Sequence, residues 1–297
     1  MNKESVMIGM SGGVDSSVAA YLLQHNQYHC VGCTMRLYCS PCGAEDNVAD
    51  ARSVADRMGI PFHVFDFQED FHRCVIRSFI SSYESGITPN PCIQCNRFLK
   101  FGVMLEKALE LGCTYVATGH YAQIRKDEHT GRYLLYKAAD KAKDQSYFLY
   151  SLTQHQLSHT LFPLGELTKE EARKIADSQG FVTARKKDSQ DICFVPDGDY
   201  VAFMKDYTGK SYAPGDYLDL SGKVVGKHQG AVCYTLGQRK GLGIALGAPV
   251  YVCAKDMQQN TVTVGPNEAL FHNALRAADW NWILFPALTH PIRVTAR

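Results

Sequence analysis

Ser11-Gly12-Gly13-Val14-Asp15-Ser16-Ser17 lies between an apolar run, Val6–Met10, and an Ala/Leu-rich stretch reaching about Gln24. Glycines let a turn bring successive N–H groups toward one anion, and a helix start adds partial positive charge. The Ser11, Ser16 and Ser17 hydroxyls can donate to phosphate oxygens, and Asp15 can hold Mg2+ or cap the helix. The loop lacks the lysine of the Gly-x4-Gly-Lys-Ser/Thr motif, and a capped glycine turn that binds nothing is the competing reading. The second chemical feature is sulfur. Thr88–Asn96 reads as a Pro-bracketed loop carrying Cys92 and Cys95, and Cys193 follows the basic triplet Arg185-Lys186-Lys187. A thiol has a pKa of about 8.5, and nearby cations favour the reactive thiolate; Lys186 and Lys187 can do this for Cys193. Two such thiols permit a persulfide cycle, one carrying extra sulfur and the other releasing it by forming a disulfide. Two unrelated loop cysteines are the plainer reading, and spacing alone favours it.

Other candidates carry less. Cys30, Cys33, Cys39 and Cys42 read C-x2-C-x5-C-x2-C, a zinc-like spacing. Cys30 and Cys33 fall on one strand, however, where an odd separation sends side chains to opposite faces; Cys39 and Cys42 are then the better pair. Cys74, Cys113, Cys233 and Cys253 read as small buried residues. His25, His29, His63, His72, His129, His155 and His159 show no ligand spacing. Phe62, Phe65, Phe67 and Phe71 read as core rather than a base-stacking platform. Arg239-Lys240 reads as a phosphate contact or a solvated hairpin tip.

Composition narrows the class. The chain has 297 residues, 45% hydrophobic and 21% charged, which fits two globular domains and excludes a disordered or collagen-like protein. No apolar run approaches the roughly 18–20 residues of a membrane span. Met1–Ser5 leads into too few apolar residues for a secretory signal, so a cytoplasmic location is expected. Net charge is +1; bulk charge therefore does not announce nucleic acid, although a local basic surface can still bind RNA. Eleven cysteines without a signal favour reduced thiols used for metal, sulfur or redox work.

Strand and helix patterns alternate through the first half. Strands are expected at residues 6–10, 28–35, 62–67 and 115–118, and helices from the loop to Gln24 and at 45–58, 70–84 and 98–111. That pattern implies a doubly wound α/β domain with a parallel sheet. Tyr121–Ile124 and Arg132–Tyr136 read as a hairpin. Thr168-Lys169-Glu170-Glu171 is a capping box opening a helix that stops at Gly180, within a largely helical linker over about 145–185. From about 208 onward helical periodicity ends. Short β-type runs at 217–220, 232–236, 250–254 and 261–264, with a turn at Gln258–Asn260, imply a small barrel-like β module.

The Ser-Gly-Gly-Val-Asp-Ser loop resembles the signature of the N-type ATP pyrophosphatases, which adenylate a carbonyl oxygen so that a nucleophile can displace AMP. Asn90-Pro91 with Cys95-Asn96, Ala117–Tyr121, Lys143–Leu149, Ile192-Cys193-Phe194 and Thr235–Gly243 occur in an order similar to the tRNA-specific 2-thiouridylases. The resemblance implies an adenine nucleotide α-hydrolase-like fold over 1–144, a helical linker over 145–207 carrying Cys193, a small β domain over 208–268, and over 269–297 the start of an incomplete C-terminal β-barrel. It implies ATP, with Mg2+, at Gly9, Met10, Ser11, Gly12, Gly13, Val14, Asp15, Ser16, Met35 and Gly119. Cys193 would carry the persulfide and Cys95 would be its partner nucleophile. Asn90, Pro91 and Cys92 would line the flipped-out target base, and His120, Lys143, Asp144 and Gln145 would touch tRNA. The implied activity is ATP-dependent 2-thiolation of the wobble uridine of tRNA, giving 2-thiouridine, AMP and pyrophosphate, with sulfur from a persulfide carrier protein or sulfide.

Two departures bear on this. Many family members have Asp where this chain has Cys92, so Cys92, Cys95 and Cys193 offer three thiolates suited to a [4Fe–4S] cluster with one open iron, against a metal-free persulfide route. Family members also usually continue past Arg297, so some tRNA contacts are expected outside this sequence. The rival functions are another ATP pyrophosphatase acting on a small carbonyl substrate, and a non-catalytic tRNA or iron–sulfur binding protein.

Overall fold

Val6, Met7 and Ile8 are fully buried in β1 (Ser5–Gly9), the continuous apolar run required of a central parallel strand covered on both faces. This computed structural model describes residues 4–38, 44–184, 186, 192–195 and 197–295. After β1 come α1 (Val14–His25), β2 (His29–Arg36), α2 (Ala44–Met58) and β3 (Phe62–Asp66). Then α3 (Gln68–Phe71) passes through a π-helical turn, His72–Ile76, into α4 (Arg77–Glu84). A longer helix starts as α5 (Pro91–Gln94), widens into a π-helical stretch, Cys95–Val103, and closes as α6 (Met104–Glu110). Next follow β4 (Tyr115–Ala117), the hairpin β5 (Ala122–Lys126) and β6 (Tyr133–Lys137), α7 (Gln154–Ser158), β7 (Thr160–Leu161) and α8 (Lys169–Ser178). The rest carries α9 (Tyr200–Thr208), β8 (Gly215–Leu218), β9 (Val224–His228), β10 (Tyr251–Asp256) and β11 (Thr261–Gly265).

The chain divides into two compact units, one of Met1–Cys74, Cys92–Ser189 and Asp279–Arg297, the other of Val75–Pro91 and Gln190–Ala278. In the first, five strands form an all-parallel sheet in the order β3-β2-β1-β4-β7. Successive strands run outward from β1 on one side, and the chain then returns to its other side at β4. The carboxyl ends of β1 and β4 are therefore the topological switch point, where open α/β sheets bind ligands. Ala19 and Ala20 of α1 and Ala172 and Ala176 of α8 belong to one buried cluster with Val6 and Ile8; small side chains let the helices approach closely. Full burial of each larger aliphatic side chain contributes about 1.5–3 kcal/mol. Thr168 and Glu171 form the expected capping box on α8, and Gly180 takes the left-handed conformation beyond it, at φ 62°.

In the second unit β10, β11, β8 and β9 form a four-stranded sheet around Tyr217, Val252, Val262 and Val264. Asn260, at φ 52°, closes the β10–β11 hairpin at the expected place. The β run expected at 232–236 does not form a strand. Ala231–Cys233 is one 3-10 turn, fixed where the Ala231 N–H donates to Asn260 Oδ1 at 2.9 Å. No strand forms among the described residues of 271–295 either. There, side chains of the first unit hold main-chain carbonyls: Arg132 donates to Ile283 O at 3.0 Å and Trp282 O at 2.9 Å.

Candidate active site

Gly9 ends β1, and Met10, 2% exposed, is locked from both sides: its N–H donates to Cys33 O at 2.7 Å and its carbonyl accepts Thr34 Oγ1 at 2.6 Å. The turn that follows needs glycine. Gly12 has φ 69°, and a Cβ there would stand 2.5 Å from Asn47 O. Gly13 is the N-cap of α1 with no side-chain capping bond, so the helix start presents main-chain N–H groups, the standard anion-binding arrangement. Ser11 is exposed, and its N–H donates to Ser16 Oγ at 3.1 Å. Ser16 Oγ in turn donates to Gly13 O at 3.2 Å. Val14 is buried in the α1 core, and Met35, half-buried, lies near the end of β2.

Two readings of this loop change. Ser17 is no phosphate donor: it is 1% exposed, and its hydroxyl donates to Gly13 O at 2.8 Å and pairs with Thr183 Oγ1 at 3.1 Å. Asp15 does not cap α1. Both its oxygens face Lys169 Nζ at 2.8 Å, and Tyr121 donates its hydroxyl to Oδ1 at 2.8 Å. Nothing in the loop's own sequence marked Lys169, which arrives 154 positions later.

The segment after β4 packs on the start of α1. Gly119 has no room for a side chain there, since its Cβ would meet the Asp15 and Ser16 backbone at 2.7 Å. His120 is buried, its Nδ1 2.7 Å from Thr118 Oγ1. Burial, and secondarily the charge of Lys100, holds its imidazole pKa well below the ordinary range. Tyr121 and Gln145 exchange two bonds: the Gln145 side chain accepts the Tyr121 N–H at 3.0 Å, and the Gln145 N–H donates to Tyr121 O at 2.8 Å. Asp144 accepts the N–H groups of Ala138 and Ser146 at 3.0 and 3.2 Å. These side chains brace the half-buried segment Lys143–Gln145.

The Pro-bracketed thiols lie on a helix rather than in a loop. Asn90 leads into Pro91, which opens α5; the first helical position suits proline, whose missing N–H would be unpaired there anyway. Cys92 is exposed one residue on, and Cys95, 8% exposed, opens the π-helical stretch, a backbone form frequent at functional sites. Burial pushes the Cys95 thiol pKa up; Lys100 pulls it down less strongly, and Cys92 adds to the rise. Lys186, expected to act on Cys193, pairs with Asp50 and donates to Asn47 Oδ1 at 3.2 Å. Lys187 lies outside the described residues.

Cys193 belongs to the second unit and is exposed. Its neighbour Phe194 is buried, with ring centroids 5.2 Å from Phe79 and 5.1 Å from Phe203. Among the described residues no three His, Cys, Asp or Glu side chains assemble as a metal-binding group. Cys30 and Cys33 are buried, with burial pushing their thiols up to about 11 and about 12. They are core residues, and Cys39 and Cys42 lie outside the described residues. Arg239 and Lys240 are exposed on a loop, not a hairpin tip.

Residues 4–197 match a family model described as the tRNA methyl transferase HUP domain, and 201–266 one described as the tRNA methyl transferase PRC-barrel domain. The tRNA-specific 2-thiouridylase MnmA of Clostridioides difficile strain 630 is 50% identical over 305 residues, covering 100% of this chain and 84% of that protein. The protein of that name from Symbiobacterium thermophilum is 50% identical over 98% of this chain and 78% of its own length. A solved structure described as the U34-tRNA thiolase NcsA from Methanococcus maripaludis with its [4Fe-4S] cluster has a TM-score of 0.44 and 17% identity, covering 70% of this chain and 68% of that one. A likeness that distant carries no argument about this chain's chemistry.

Proposed function

Because this chain belongs to the tRNA-specific 2-thiouridylase family, we propose that it activates the wobble uridine of tRNA with ATP and replaces its O2 by sulfur. It is a tRNA sulfurtransferase. The observation that carries the reading is half identity to thiouridylases across essentially the whole chain. The matched family models are described in terms of methyl transfer, but a thiol at the head of a π-helical stretch and an exposed second thiol suit sulfur chemistry better.

ATP would lie at Gly9–Ser16, Met35 and Gly119, at the switch point of the sheet. The α1 N–H groups and the exposed Ser11 hydroxyl would hold its phosphates, with Ser16 bracing the turn through its bonds to Ser11 and Gly13, and Mg2+ bound with ATP would neutralise part of the phosphate charge. Uridine O2 attacks the α-phosphorus and pyrophosphate leaves. The exchange needs this step because a pyrimidine carbonyl oxygen is a poor leaving group and AMP a good one. The C2 atom is inaccessible in a stacked anticodon loop, so the base is extruded first, with Asn90, Pro91 and Cys92 lining it and the half-buried segment Lys143–Gln145 contacting tRNA; His120, expected at the tRNA, is buried against Thr118 and would act only through the segment it supports. The Cys193 persulfide adds its terminal sulfur to C2 and AMP departs. The Cys95 thiolate then attacks Cys193 Sγ, which breaks the S–S bond, leaves the terminal sulfur on C2 and forms a Cys95–Cys193 disulfide. A persulfide carrier passes its outer sulfur to the Cys193 thiolate and leaves as a thiol, and an external thiol reduces the Cys95–Cys193 disulfide after each turnover. This route uses thiols only.

Mass spectrometry of nucleosides tests the proposal, after tRNA is incubated with the protein, ATP and a persulfide donor. 2-Thiouridine at the wobble position with stoichiometric AMP supports it. ATP turnover without thiolated nucleoside, donor being active, favours the small-carbonyl alternative.

A further inference from the structure

We propose that Lys169 is the cation that the phosphate loop lacks in its own sequence: by pairing with Asp15 it cancels the carboxylate charge beside the loop and so admits a polyphosphate. The inference rests on the reading of Gly9–Ser16 as the ATP site. Lys169 Nζ lies 2.8 Å from both Asp15 oxygens, and the Tyr121 hydroxyl donates to Oδ1 at 2.8 Å. The lysine side chain is only 11% exposed, a burial that lysine avoids unless paired.

Its own helix does not account for it. Lys169 is the first residue of α8, where the helix field disfavours a cation. The position is nevertheless fixed: the Lys169 N–H donates to Asp140 Oδ2 at 3.0 Å, and the preceding Thr168 is held in the capping box with Glu171. The Tyr121 ring lies 6.0 Å from Nζ, and two distant segments, at Tyr121 and at Lys169, converge on the Asp15 carboxylate.

Asp15 stands in the first turn of α1. An uncompensated carboxylate there opposes any polyanion approaching the N–H groups of that turn, because the interaction falls only as the inverse of distance. With Lys169 in place, the N–H groups and helix dipole are the field that the ligand meets. Lys169 is thus a positioning residue acting through Asp15.

The test is a set of binding titrations without divalent cations, using ATP, inorganic pyrophosphate and uncharged adenosine. They compare the full chain with Lys169→Met, Lys169→Arg, Asp15→Asn and the double variant Lys169→Met/Asp15→Asn. Lys169→Met is expected to weaken ATP and pyrophosphate by about tenfold or more and leave adenosine unchanged, while Lys169→Arg stays near wild type. The double variant, whose pair is neutral, is expected to recover most of the loss even if the single variant folds poorly. A double variant as weak as Lys169→Met, an equal loss for adenosine, or no loss at all overturns the proposal. A wild-type protein that binds neither ATP nor pyrophosphate instead overturns the ATP-site reading beneath it.

Discussion

Gly119 and Ser16 approach so closely that a Cβ on the former would stand 2.7 Å from the amide nitrogen of the latter. This contact joins the carboxyl end of β4 to the first turn of α1 and sets the loop's distance from the sheet. Gly119→Ala must push the two segments apart, and neither can yield cheaply because both are backbone. The expected outcome is ATP binding weakened about tenfold or more, equivalent to about 1.4 kcal/mol, in a protein that still folds. Isothermal titration with circular dichroism measures both; unchanged ATP affinity refutes the assignment of this contact to the nucleotide site.

Replacing either Cys95 or Cys193 by Ser should bring 2-thiouridine formation below detection, since each thiol makes or breaks a bond in the proposed cycle. The adenylation step uses neither sulfur. Pyrophosphate release dependent on tRNA should therefore persist in both variants during a single turnover, which a coupled phosphate assay reads. Thiolation surviving in either variant would falsify the two-thiol route.

Cys95 should react as a poor thiolate at neutral pH. Burial raises its pKa above the ordinary thiol range and Lys100 only partly offsets this. Its alkylation rate by iodoacetamide, read by peptide mass spectrometry, should still be rising at pH 9, where an ordinary thiol of pKa about 8.5 nears its plateau. Lys100→Met removes the opposing charge and should move the profile to higher pH. A plateau already reached by pH 8 contradicts the expectation.

His120 should make stability depend on acid. Burial holds its folded-state pKa well below 6.5, so as pH falls the unfolded chain takes up the proton first. The stability derived from keeping it neutral is complete above about 6.5 and is lost progressively below. Urea midpoints at pH 7.5 and 5.5 should converge in His120→Gln relative to the parent protein. An identical pH slope in both proteins removes His120 as the source.

Much of the architecture was legible in local sequence. The β1 run, the glycine turn, the α8 capping box and the Asn260 turn each depend on neighbours within a few positions, and each formed where expected. The misreadings share one cause. Prolines around Cys92 and Cys95 suggested a loop, but Pro91 serves equally as a helix's first residue, and only the helix that follows decides between the two. The run at 232–236 has strand-like residues, yet the Ala231 N–H, donating to Asn260 Oδ1, is fixed at the head of a 3-10 turn instead.

What the sequence by itself determined is the chemistry on offer: an anion-cradling turn without a lysine, thiols at fixed positions, and an order of motifs sufficient to point to the family. Tertiary structure decided which groups act on one another. It set Lys169 against Asp15, turned Ser17 inward to Thr183, tied Lys186 to Asp50 and buried the Cys95 thiol. Local sequence encodes backbone preference through short-range sterics and hydrogen bonding. Charge pairing and burial depend instead on residues brought together by packing across more than a hundred positions.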